Sequence, residues 1–86
     1  MNFIIVWSDA AIQDLARIWL QVSNRNAITR ASNQIDQVLS QNPQYVGESR
    51  AGNERVFFED PLGVRFEVVI DDMIVTVGAV WLTRRV

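Results

Sequence analysis

Between residues 9 and 39 the apolar residues recur at helical spacing, and from residue 53 onward they alternate with a period of two. A helix brings positions i, i+3, i+4 and i+7 onto one face, whereas a strand brings alternate residues onto one face of a sheet. A chain that changes period once, and that also opens on an apolar run, has few ways to bury both patterns. The order is β-α-α-β-β-β: an α+β domain with a helical hairpin packed on one face of a small, mainly antiparallel sheet. The 86 residues fit one domain, residues 1–86. Such a domain buries only about 60–65 % of its unfolded surface, so the core is thin and a large exposed apolar face needs a partner.

Asn2–Trp7 is continuously apolar from Phe3 and rich in β-branched residues, which predicts a strand. Ser8 is a good N-cap and Asp9 suits the positive end of a helix. Ile12, Leu15, Ala16, Trp19 and Val22 predict the inner face of the first helix, with Gln13, Asp14, Arg17 and Gln21 opposite, ending near Ser23-Asn24. The second helix starts between Asn24 and Asn26 and carries Ile28, Ala31, Ile35, Val38 and Leu39. Asn42-Pro43 stops it, because the residue before proline avoids the α region. Gln44–Gly52 reads as a loop.

In the second half, Val56 and Phe58 alternate with Arg55, Phe57 and Glu59. Asp60-Pro61-Leu62-Gly63 predicts a turn in which glycine takes the left-handed exit. Val64, Phe66, Val68 and Ile70 alternate with Arg65, Glu67 and Val69; Asp71-Asp72-Met73 turns again; Ile74–Leu82 is the last strand, with Gly78 as a bulge or close-approach point. The pattern leaves open which strand the first one joins. The face away from the helices is expected to carry Arg55, Phe57, Arg65 and Glu67.

Composition removes whole classes of chemistry. With no cysteine and no histidine, disulfides, thiolate metal sites, a cysteine nucleophile and an imidazole base are excluded. No metal or cofactor is expected. No apolar run approaches the ~20 residues of a membrane span. The first residues lack a basic region and a cleavage site, so the expected location is cytoplasmic. All eight basic residues are arginine, the side chain suited to bidentate contact with carboxylate or phosphate, yet the net charge is −2. A weakly acidic protein is a poor generic nucleic-acid binder.

The candidate binding residues, for a protein partner or a phosphate, are Arg50, Arg55, Arg65, Glu67, Arg84 and Arg85. Arginines on adjacent strands suit a phosphodiester or the acidic side chains of a partner. Against this stands an ordinary alternative, in which Arg55 with Glu59 and Arg65 with Glu67 are solvated cross-strand pairs worth a few tenths of a kcal/mol. Glu48 and Arg50 either pair with each other or present Arg50 beside the sheet. Trp7, Trp19 and Trp81 are expected to be core or half-buried packing residues. Glu48, Glu54, Glu59 and Glu67 are the available bases, but no spacing singles out a catalytic pair, and no phosphate loop, metal motif or serine elbow is present. Replacing Arg55 and Arg65 by alanine is expected to weaken function more than folding.

The order of elements and the stretch from Trp7 to Trp81 resemble the RelE/ParE superfamily of bacterial toxins from type II toxin–antitoxin modules. The carriers are Ile5-Val6-Trp7-Ser8 with Ala11 and Leu15; Ile28-Thr29 through Ile35-Asp36 and Leu39; Pro43 to Gly47-Glu48-Ser49-Arg50; Arg55-Val56; Leu62-Gly63-Val64-Arg65-Phe66; and Asp71-Asp72 with Val75-Thr76-Val77. The resemblance implies a cognate antitoxin protein as partner, and a homo- or hetero-oligomer. RelE-like members cleave messenger RNA on the ribosome; ParE-like members bind and poison DNA gyrase. It implies that Arg55 and Arg65 match the basic sheet residues of the family, and that Arg84 and Arg85 match the basic residues after the last strand. The chain departs from RelE-like nucleases in being acidic, in lacking lysine, and in carrying Phe57 and Trp81 where they hold lysine, histidine or tyrosine. The reading is therefore a toxin acting by protein binding, such as gyrase inhibition. The alternatives are a ribosome-dependent endoribonuclease and a non-toxic interaction module of the same fold.

Overall fold

The computed structural model describes residues 2–86. The elements are β1 (Ile4–Trp7), α1 (Asp9–Gln21), α2 (Arg25–Leu39), a 3-10 turn (Pro43–Tyr45), β2 (Glu48–Ser49), β3 (Glu54–Glu59), β4 (Leu62–Val69) and β5 (Ile74–Leu82). Both helix starts follow from local chemistry. Ser8 Oγ accepts from Ala11 N–H at 3.1 Å and Asn24 Oδ1 accepts from Ala27 N–H at 3.1 Å, each filling a backbone donor that the first turn leaves free. Asn24, rather than Asn26, is the cap of α2.

The five strands form one sheet in the order β1-β5-β4-β3-β2. β1, whose position the pattern left open, pairs parallel with β5, and the other neighbours are antiparallel. β2 is a two-residue strand inside the segment read as a loop. Just before it Gly47, at φ +69°, brings the chain against the Val56 carbonyl so closely that a Cβ would lie 2.1 Å from its oxygen. Gly78 is the extra residue of a bulge: Arg65 pairs with Ala79 and Phe66 with Val77. β1 stops opposite Val77, so the β5 edge beyond it lacks a strand. There Asp14 Oδ2 accepts from Val80 N–H at 3.1 Å and seals the exposed donor.

Gly63 differs from its expected role. The connection from β3 to β4 is Asp60-Pro61 alone, Gly63 lies within β4, and its φ is not positive. Its reason is space: a Cβ there would meet the Trp81 indole at 2.5 Å. Glycine is needed because a tryptophan lies flat on the strand, not because the chain turns.

The core lies between the helices and one sheet face. It comprises Phe3, Ala11, Ile18 and Val22, then Ile28, Ala31, Ile35 and Leu39, and from the sheet Leu62, Val64, Phe66, Val68, Val75, Val77 and Val80. α1 packs on β5 and β1; α2 packs on β3 and β4. The α2 stripe is as the spacing predicts at Ile28, Ala31, Ile35 and Leu39, while Val38 stays partly exposed outside the core. The α1 stripe is rotated: Ala11, Leu15, Ile18 and Val22 face inward, leaving Ile12, Ala16 and Trp19 outside. Trp19, 38 % exposed, carries the Arg25 guanidinium 5.8 Å from its ring centroid instead of joining the core. Trp7 is half-buried and donates through Nε1 to Asp36 at 2.7 Å.

Candidate functional site

The face of the sheet away from the helices is uncovered, and strand register decides what it carries. Residues paired across strands share a face. Val64, Phe66 and Val68 point into the core, so their partners on β3, Phe57 and Arg55, point the same way. The expectation that Arg55 and Phe57 lie on the open face is therefore corrected: Phe57 packs against the core, and Glu54, Val56 and Phe58 take the open face.

That face is built in rows. At one end Phe58, Gly63 and Trp81 lie side by side across β3, β4 and β5. Trp81 covers Gly63, and Phe58 meets it edge-on, with ring centroids 6.1 Å apart and planes at 79°. Phe58 is 55 % exposed, an aromatic ledge open to a partner. The middle rows hold Val56, Arg65 and Ala79, then Glu54, Glu67, Thr76 and Val6. A hollow of about 190 Å³ opens here over Gly78, where the bulge removes a side chain; Glu54, Arg65, Glu67 and Thr76 line it. The far end is apolar, with Val69, Ile74 and Ile4.

The candidate arginines are dispersed rather than gathered. Arg65 lies on the open face, its Nε 3.3 Å from Glu54 Oε2. Glu67 lies directly opposite Glu54 and has no ion pair among the described residues. Arg50 stands at the β2 margin, its N–H bonded to Glu54 O and its Nη1 3.2 Å from Glu48 Oε2. Arg55 faces the helix side and donates through Nε to Val46 O at 2.7 Å and through Nη2 to Gly47 O at 3.0 Å. It clamps the chain leading into β2. Arg84 forms a fork with Asp60, Nε to Oδ1 at 2.7 Å and Nη2 to Oδ2 at 2.8 Å, and so ties the end of the chain to the β3–β4 turn. This pair holds the Asp60 carboxyl below its ordinary pKa. Arg85 lines a separate surface recess with Gln21, Ser23 and Val86. Each of Arg50, Arg65 and Arg84 already has a carboxylate, and Arg55 is held by carbonyls.

Phe58 and Glu54 are open-face residues that sequence reasoning missed. The signal was available in the turn: an even-numbered connection between β3 and β4 pairs the even-numbered core residues of β4 with odd-numbered residues of β3, which sends Phe58 and Glu54 outward. Among the described residues there is no group of three or more acidic side chains that could hold a metal ion. Nor is any helix long and apolar enough to cross a membrane.

No protein-family model and no curated protein sequence matches the chain. Solved structures do. The chain is similar to a structure of the RelBE2 toxin–antitoxin complex of Mycobacterium tuberculosis, with 13 % identity over 95 % of this chain and 92 % of that one and a TM-score of 0.78. It is similar to the chromosomal ParDE toxin–antitoxin system of P. aeruginosa, with 18 % identity over 96 % and 98 % and a TM-score of 0.68. It is also similar to the isolated E. coli RelE toxin, with 11 % identity over 98 % and 87 % and a TM-score of 0.68.

Proposed function

Since this chain has the RelE/ParE toxin fold, we propose that it is the toxin of a cytoplasmic type II toxin–antitoxin pair and acts on its target by protein contact. Its second partner is a cognate antitoxin. The observation that carries the choice of mechanism is the charge balance of the open face. Glu48, Glu54 and Glu67 stand there against Arg50 and Arg65, and both guanidiniums are already paired. A phosphodiester approaching this surface meets excess negative charge, and the described arginines of that face, Arg50 and Arg65, are both engaged by carboxylates. The chain also lacks histidine, the commonest general base near neutral pH.

A protein partner fits the same face better. Phe58 and Trp81 offer a partly exposed aromatic ledge, and the far end offers Ile4 and Ile74. Glu54 and Glu67 directly opposite each other destabilise the strand pair by a few tenths of a kcal/mol, and a basic side chain from a partner relieves that repulsion. Arg65 and Glu67 are thus the proposed polar contacts, with Arg50 at the rim. DNA gyrase is the target that the family resemblance offers for a protein-binding member.

The test is induced expression in bacteria with and without the neighbouring reading frame, scored for growth and for plasmid topology. Growth arrest with relaxed plasmids, relieved by the neighbouring frame, is the expected result. Normal growth in the absence of that frame would overturn the toxin reading.

A further inference from the structure

The two margins of the sheet are unlike. At one, β2 is two residues long, begins at Glu48 and is followed by Arg50; a short, charged edge resists further pairing. At the other, β1 is Ile4-Ile5-Val6-Trp7, without a charge, a proline or a bulge. Ile4 N–H donates to Met73 O at 2.8 Å and Ser8 N–H to Val77 O at 2.9 Å. Strand alternation therefore turns the backbone groups of Ile4 and Val6 toward β5 and those of Ile5 and Trp7 outward. Phe3 shares the outward direction, but its N–H is taken by Ser40 O at 2.7 Å. Among the described residues nothing pairs with the outward groups of Ile5 and Trp7.

We propose that this edge pairs with the β1 edge of a second copy of the chain, antiparallel, about a two-fold axis passing at Val6. Two outward residues separated by one inward residue are what such pairing requires. Ile5 N–H and C=O meet those of Trp7 of the second copy, and Trp7 meets Ile5 in return. Val6, 43 % exposed, then lies opposite Val6 of the second copy, and Ile4, 65 % exposed, opposite Ser8. No like charges meet, and the β-branched pair at the axis is favourable. Pairing β1 with β2 of another copy would instead set apolar residues beside Glu48 and would propagate into a filament rather than close. The contact is small, below about 1,200 Å² in total, so the dimer exchanges with monomer rather than being obligate. The inference does not depend on the toxin reading.

The test is sedimentation of the full chain over a roughly hundred-fold concentration range, alongside Val6→Lys, Val6→Glu and their equimolar mixture. Val6 is exposed, and thermal melts check that both variants fold. The wild type is expected to rise from 9.8 kDa toward twice that mass. Each variant alone should stay monomeric, because like charges meet at the axis. The mixture should dimerise again, because opposite charges do. A wild type that stays monomeric throughout overturns the proposal, including one that gains a strand only from a co-expressed protein. So does Val6→Lys dimerising as the wild type does, or a mixture that stays monomeric.

Discussion

At Gly63 the absence of one carbon atom shapes the open face. A methyl group there would sit 2.5 Å from the Trp81 indole, so either the ring or the strand must move. Gly63→Ala is expected to lower stability by about 1–3 kcal/mol, the usual effect of overpacking, and to shift tryptophan emission to the red as the indole swings into water. Urea denaturation followed by fluorescence checks both. Adding Trp81→Ala to Gly63→Ala should recover most of the loss, because the two positions share one space. Asp60 gives a second residue-level expectation. Arg84 holds its carboxyl below the ordinary pKa through a hydrogen-bonded fork, so the folded chain takes up this proton at lower pH than the unfolded chain does. The stabilisation is complete above the unfolded-state value and is lost as the pH falls through the folded one. Asp60→Asn should therefore flatten the acid side of a plot of melting temperature against pH. The effect is small and fades with salt, since the pair is largely exposed.

Among the elements, β2 depends on a side chain from the neighbouring strand. Arg55 donates to two carbonyls of the segment that enters β2, Val46 O and Gly47 O. Arg55→Ala is expected to cost about 1.5–3 kcal/mol, as for hydrogen bonds from a charged donor, measured by urea denaturation. A loss of that size would run against the expectation that Arg55 matters more to function than to folding. The order of the two helices and the four longer strands, the Ser8 cap, most of the α2 stripe and the Gly78 bulge were legible in the sequence, because each follows from local chemistry. Three things were not. Phe57 and Phe58 are both apolar, so alternation alone does not say which faces inward; the register with Val64 and Phe66 does. On α1 the apolar residues run more than halfway round the helix, and only packing on β5 selects Ala11, Leu15 and Ile18 over Ile12 and Trp19. β2 is preceded by a single close backbone approach at Gly47, which no periodicity records.

Across the whole molecule, charge is what favours the proposed protein contact over cleavage of RNA. The net charge is −2, and the arginines are distributed so that the open face carries Arg50 and Arg65 beside Glu48, Glu54 and Glu67, while Arg55, Arg84 and Arg85 lie elsewhere. The proposed protein contact rests on this balance and on the aromatic and aliphatic ends that flank the charged middle. The candidate binding residues read from the sequence assumed that arginines distant along the chain converge; the topology separates them instead, and only Arg65 and Glu67 share the centre of the open face. The most direct measurement adds the purified chain to translating ribosomes and maps the ends of the message. Intact message is the expected result. Message cut in the presence of the wild type, with the cutting lost in Arg65→Ala, would contradict it.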